Sequence, residues 1–141
     1  MNGLASLIRW RRFLLDERRK ELAALRARAG ELAEEGRRLA AAPRAEQPVV
    51  DRDAALGFAL GGYIDAVLGR RRALAATEAK LGEEIAVAEN AVADAFAELK
   101  RYEIAAERAA EATRIAAAAT ERRQLDELAL DNHRRAQEPQ A

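Results

Sequence analysis

Few side chains in this 141-residue chain are of the kinds that carry out chemistry. His133 is the only histidine and there is no cysteine. Histidine metal triads and Ser/His/Asp arrangements therefore have no base, His133 reads as structural or solvent-exposed, and thiolate chemistry, disulfides and thiolate metal sites are excluded. The adjacent carboxylates Glu34/Glu35 and Glu83/Glu84 would project about 100° apart on a helix. Such pairs cannot share a proton or a metal, and read as solvated faces. Gly61-Gly62 lacks the following Lys-Ser/Thr and the preceding strand that a phosphate-binding loop requires. The chain is expected to be no enzyme and to need no cofactor or metal.

Charge is the more informative chemistry. The whole chain balances 24 basic against 24 acidic residues, but the two signs are segregated. Residues 1–28 carry Arg9, Arg11, Arg12, Arg18, Arg19, Lys20, Arg26 and Arg28 against Asp16, Glu17 and Glu21, a net of +5. Residues 78–111 carry nine acidic and four basic groups, a net of −5. Pairing within the molecule accounts for part of this asymmetry if the two segments lie side by side. Arg9, Arg11 and Arg12 beside Trp10 also have the character of a nucleic-acid contact, but no nucleic-acid-binding module accompanies them, and no such partner is expected.

The elements that hold these groups must be helices. Alanine fills 36 positions, aromatics make up 4% and charged residues 34%, a composition of long helices and coiled coils rather than of a thick globular core. Proline stands only at 43, 48 and 139, and proline costs a helix interior about 3 kcal/mol, so the intervals between are free to be helical. Helix 1 is predicted at about 3–42, a tip loop at about 43–52 and helix 2 at about 53–137, with Asp51 or Asp53 as its N-cap. Pro139 marks a frayed tail.

Both helices carry a seam spaced alternately four and three. In helix 1 it runs Leu4, Ile8, Leu15, Leu22, Leu25, Ala29, Leu32, Gly36 and Leu39, with Arg11 and Arg18 as two basic defects. In helix 2 one column runs Leu60, Val67, Leu74, Leu81, Ala88, Ala95, Tyr102, Ala109, Ala116, Arg123 and Leu130. Its companion runs Ile64, Arg71, Glu78, Ile85, Val92, Leu99, Ala106, Thr113, Thr120 and Glu127. Sustained heptads require a partner helix. The short connection makes that partner helix 1, giving an all-α, elongated, antiparallel two-helix coiled-coil hairpin as a single domain with the longer helix second. Residue i is expected to meet roughly residue 95 − i, which exhausts helix 1 near residue 92 and leaves about 40 residues of helix 2 bare at about 1.5 Å each. The pairs Arg122/Asp126, Arg123/Glu127 and Asp131/Arg135 would add a few tenths of a kcal/mol each there. A lone helix of that length is marginal in water, so the end should be completed by another protein or a second copy.

Helix 2 opens with Gly57, Gly61, Gly62 and Gly69, each of which lowers helix propensity, so the tip should be the loosest region. Phe58 and Tyr63 stand there among apolar neighbours, as tip packing or as a docking face. Arg9, Arg11 and Arg12 lie inside the N-terminal apolar stretch instead of before it, and the uncharged runs at 54–64 and 115–120 fall short of the roughly 20 residues of a bilayer span. Neither a signal peptide nor membrane insertion is expected, and a cytoplasmic location is.

Three stretches resemble the flagellar export protein FliJ family. They are the opening LASLIRWRRFLLDERRKELAAL, the mid-chain LGFALGGYIDAVL with its tyrosine, and the ending ERRQLDELALDNHRRA, in which Leu125-Asp126-Glu127-Leu128-Ala129 followed by Arg134 and Arg135 is the most specific part. The chain departs from the family in its short first helix, its high alanine content and the four glycines at the start of helix 2. The resemblance implies a non-enzymatic stalk of the type III protein export apparatus, at the cytoplasmic face of the inner membrane at the flagellar base. Its partners would be the hexameric flagellar export ATPase, the membrane export gate and export chaperones. By that resemblance Arg122, Arg123, Asp126, Glu127, Arg134 and Arg135, assisted by Arg9, Arg11 and Arg12, would meet the ATPase, and Leu60, Tyr63, Val67 and Leu74 the gate. A stalk of a virulence type III secretion system and a generic coiled-coil scaffold or homodimer remain as alternatives.

Overall fold

The computed structural model describes residues 2–46 and 54–138, with the side chains of 3–41 and 57–138. It holds two α-helices, α1 (Asn2–Glu46) and α2 (Ala54–Gln137), and no strand among the described residues. The protein is an all-α helical hairpin with its two long helices packed on each other. The described glycines are helical, and none has a positive φ. The candidate caps Asp51 and Asp53, with Pro48 and Pro139, lie outside the described residues.

Contacts gather into two units, residues 12–97 and residues 1–11 with 98–141. In the first, the core is Leu15, Leu22 and Leu32 of α1 with Val67 and Leu81 of α2, all buried. The helices run antiparallel: the Gly36 backbone faces Leu74, so that an added Cβ would stand 3.4 Å from Leu74 Cδ2, and Arg26 reaches Glu89 at 3.2 Å. A methyl group at Gly36 would meet Leu74 in ordinary van der Waals contact, so this position marks the pairing without requiring glycine. In the second unit Leu99 is buried. Leu4, Ala5 and Ile8 of α1 there wall an apolar cavity of about 250 Å³ with Ala106, Ala109, Ala110 and Thr113 of α2.

These contacts correct the expected register. Facing residues have numbers summing to between 105 and 115, from Glu35 with Arg70 to Arg26 with Glu89, instead of 95. Ile8 accordingly lies beside Ala106 and Ala109 rather than facing residue 87, and α2 is covered through Ala106 rather than 92. A ladder of similar apolar layers fits itself in several registers, so periodicity alone could not choose. The expected stop at Pro43 also fails, because α1 runs on to Glu46.

Of the two seam defects in α1, Arg18 lies outside the packing and bonds Glu21 at 3.3 Å. Arg11 is half-buried over the Tyr102 ring, 5.4 Å from its centroid. The remaining α1 seam positions are all buried or half-buried, as the spacing predicted.

Candidate partner-binding surfaces

The C-terminal part of α2 is the largest uncovered surface. From Glu107 to Gln137 every residue is exposed, although the heptad columns continue through Ala116, Thr120, Arg123, Glu127 and Leu130. The reason is local to the sequence and to what lies opposite. Alanines and threonines give this stretch helix propensity and little apolar area to bury, and the last seam residue of α1, Leu4, lines the cavity whose α2 wall ends at Thr113. Thr113 and Thr120 turn their hydroxyls back to the carbonyls of Ala109 and Ala116 at 3.0 Å, satisfying themselves within the helix. Ile115, Leu125, Leu128 and Leu130 are more than half exposed, at 63%, 59%, 59% and 56%.

Arg122, Arg123, Asp126, Glu127, Arg134 and Arg135 are all exposed on this surface. The ion pairs expected there, Arg122/Asp126, Arg123/Glu127 and Asp131/Arg135, do not form. Local pairs take the i, i+3 spacing instead, as in Arg114–Glu111 on this same stretch and in Arg19–Asp16, Arg28–Glu31 and Arg101–Glu98 elsewhere. Only Arg134 and Arg135 stand in the last turn, where positive charge meets the negative end of the helix dipole. His133 lies on the same exposed end, its ring nitrogen 3.1 Å from the Gln137 amide.

The N-terminal arginines do not assemble with this cluster. Arg9 is exposed and bonds the Ser6 hydroxyl at 3.2 Å, and Arg12 is also exposed. Arg11 is committed to Tyr102, with its Nε buried and unpartnered. Within that unit Arg122 stands nine residues beyond Thr113 of the cavity wall, about 13 Å along the helix.

The four apolar positions near the tip divide between packing and surface. Val67 is buried, Leu74 lies against Gly36 and Leu60 is half-buried. Tyr63 is 39% exposed and Phe58 88%. Tyr63 and Phe58, with Leu68, are therefore large apolar side chains here that a partner can reach.

Two arginine sites escaped the reading of the sequence. Arg71, in a seam column, donates from Nη2 to the Leu39 carbonyl at 2.9 Å, and Arg11 meets Tyr102. The signals were present as a seam arginine paired with a proline in one case and with a seam aromatic in the other, but both depend on the register. The Glu34 carboxyl is held below the ordinary glutamate range, chiefly by the hydrogen bond from Arg37 and then by that guanidinium's charge.

Among the described residues no group of three or more His, Cys, Asp or Glu is arranged to hold a metal. No helix there is long and apolar enough to cross a membrane. Comparison with protein-family models, with curated proteins and with solved structures finds no match to this chain.

Proposed function

We propose that the chain is a non-enzymatic stalk of a bacterial type III protein export apparatus, of the flagellar FliJ kind, linking the hexameric export ATPase to the membrane export gate and handling export chaperones. The observation that carries this reading is the exposed run from Glu107 to Gln137. A single helix of that length is only marginally stable alone, so a partner that surrounds or lines it contributes much of its order. Arg122, Arg123, Asp126 and Glu127 on it are exposed and able to meet that partner's charges.

Arg123 and Glu127 occupy seam positions, and burying an unpaired charge costs several kcal/mol. That cost disfavours a dry self-association seam and favours a polar channel through a ring. Balanced charges let a shaft touch such a ring at several rotational positions without one deep minimum. The reading places the protein at the cytoplasmic face of the inner membrane, held there by its partners. Tyr63, with Phe58 beside it, is the reachable part of the proposed gate-binding stretch.

The test is pull-down with the export ATPase of the same organism, followed by ATPase assays. Reversing Arg122 and Arg123 to Glu should abolish stimulation of ring assembly or hydrolysis while leaving helicity unchanged. Unchanged stimulation removes the C-terminal end from the mechanism. A stable dimer in sedimentation equilibrium, with no ATPase binding, would instead support a coiled-coil scaffold. Capture by a virulence-system ATPase and not by the flagellar one would move the same stalk to that apparatus.

A further inference from the structure

α1 contains Pro43 and continues past it to Glu46. Proline has no N–H, so the carbonyl four residues earlier, that of Leu39, loses its intrahelical donor. That carbonyl receives Arg71 Nη2 from α2 at 2.9 Å, in a part-buried position. Arg71 stands in a seam column between Ile64 and the exposed Glu78, and its Nε is buried with no hydrogen-bond partner. A seam arginine and a proline, each unfavourable alone, thus complete each other across the hairpin.

We infer that Arg71 and the Leu39 carbonyl left free by Pro43 form a register pin, a single polar address that selects one pairing of α1 with α2. Most of the neighbouring seam residues do not select it. Leu22, Leu25, Leu32 and Leu39 on α1, and Leu60, Ile64, Val67, Leu74, Leu81 and Ile85 on α2, exchange one apolar layer for another under a seven-residue slip. Gly57, Gly61, Gly62 and Gly69 leave the opening turns of α2 poor in helix propensity and able to yield. A slip also parts the Arg26–Glu89 and Arg70–Glu35 pairs, but those are exposed and worth little, whereas Arg71 reaches a part-buried carbonyl. Slipped one heptad toward the N-terminus of α1 it faces Leu32, whose carbonyl is taken by the Gly36 N–H in the regular helix. Slipped the other way it leaves Leu39 without a donor. A single polar seam residue fixing the register of a coiled coil is the best-attested use of such groups.

The test is a distance measurement. The chain has no cysteine, so spin labels placed by Ala33→Cys and Ala76→Cys, both at exposed positions on facing helices, report one register. The unsubstituted seam should give one distance population. Arg71→Met, which keeps the length and apolar body of the side chain, and Pro43→Ala, which returns a donor to Leu39 and favours helix, should each add a second population with the labels offset by about 10 Å along the axis, one heptad. Helicity by circular dichroism should be undiminished in both. Arg71→Lys, still a donor, should keep the single population. A single unshifted population in either Arg71→Met or Pro43→Ala overturns the inference. Register loss in Pro43→Ala alone would mean that the proline acts without the arginine, and loss in Arg71→Met alone that the arginine acts by packing.

Discussion

Two stretches of α2 carry the same heptad and meet opposite fates. Between Leu60 and Ala106 the columns are buried or half-buried except at Glu78, whereas from Ala109 to Leu130 every column position is exposed. Arg71 and Arg123 make the contrast most sharply. Both are arginines in the seam columns, but one ends on a carbonyl of α1 and the other is exposed, with no residue of α1 opposite it. A seven-residue repeat therefore states that a helix can be covered, and says nothing of whether its own chain supplies the cover. Composition is the better guide, because leucine and valine bring enough apolar area to make pairing favourable while alanine and threonine bring little.

The largest effect that sharpens this comparison is truncation on each side of the boundary. Leu22→Ala, at a position 7% exposed, should destabilise the hairpin by about 2–4 kcal/mol. Leu130→Ala, at a position 56% exposed, should fall within about 0.5 kcal/mol in the isolated protein. Equal losses in thermal or urea unfolding would mean that the C-terminal stretch is paired in solution, and would break the comparison.

A smaller effect concerns the seam arginines. Arg11→Met removes a half-buried guanidinium from the Tyr102 ring, an interaction worth roughly 0.5–1 kcal/mol at such a site. Methionine also relieves the buried, unpartnered Nε, so the net loss in unfolding free energy should not exceed about 1 kcal/mol. Arg123→Met should cost nothing measurable in the isolated chain. A loss at Arg123 equal to that at Arg11 would show that the uncovered seam is covered after all.

The smallest is a titration. Because Glu34 is held below the ordinary glutamate range by Arg37, its contribution to folding is present above that range and is lost as pH falls through the lowered folded-state value. Carboxyl-carbon NMR should find Glu34 titrating low, and Arg37→Met should return it to the ordinary range with little change in stability, as befits an exposed pair. A carboxyl that stays low in Arg37→Met would assign its stabilisation elsewhere.

The helical class, the existence of two helices and the membership of both seams were legible in the spacing of Leu4 to Leu39 and Leu60 to Leu99, since a 3.5-residue repeat has one structural solution. The three candidate surfaces were legible only as charge and composition. Val67 and Leu74 were expected both in the seam and in the gate-facing set, and their packing, Val67 buried and Leu74 against Gly36, bears out the seam, because a seam position and a surface position differ only in what stands opposite. The three i, i+4 ion pairs expected in the bare end also failed, and the local pairs that do form take the i, i+3 spacing, as in Arg114–Glu111.

The sequence by itself therefore determined helix, seam and the poverty of apolar area beyond Ala106, all of which follow from the period and size of side chains along one chain. Register belonged to the tertiary structure alone. Pro43 read as a stop because a missing donor is costly within one helix, and only the arrival of Arg71 from the other helix, at 2.9 Å from the Leu39 carbonyl, made continuation through it tolerable. The same docking set which residues Arg11 and Arg26 meet, and how far along α2 the cover reaches. Such pairings depend on distances between segments far apart in sequence, which local periodicity does not encode.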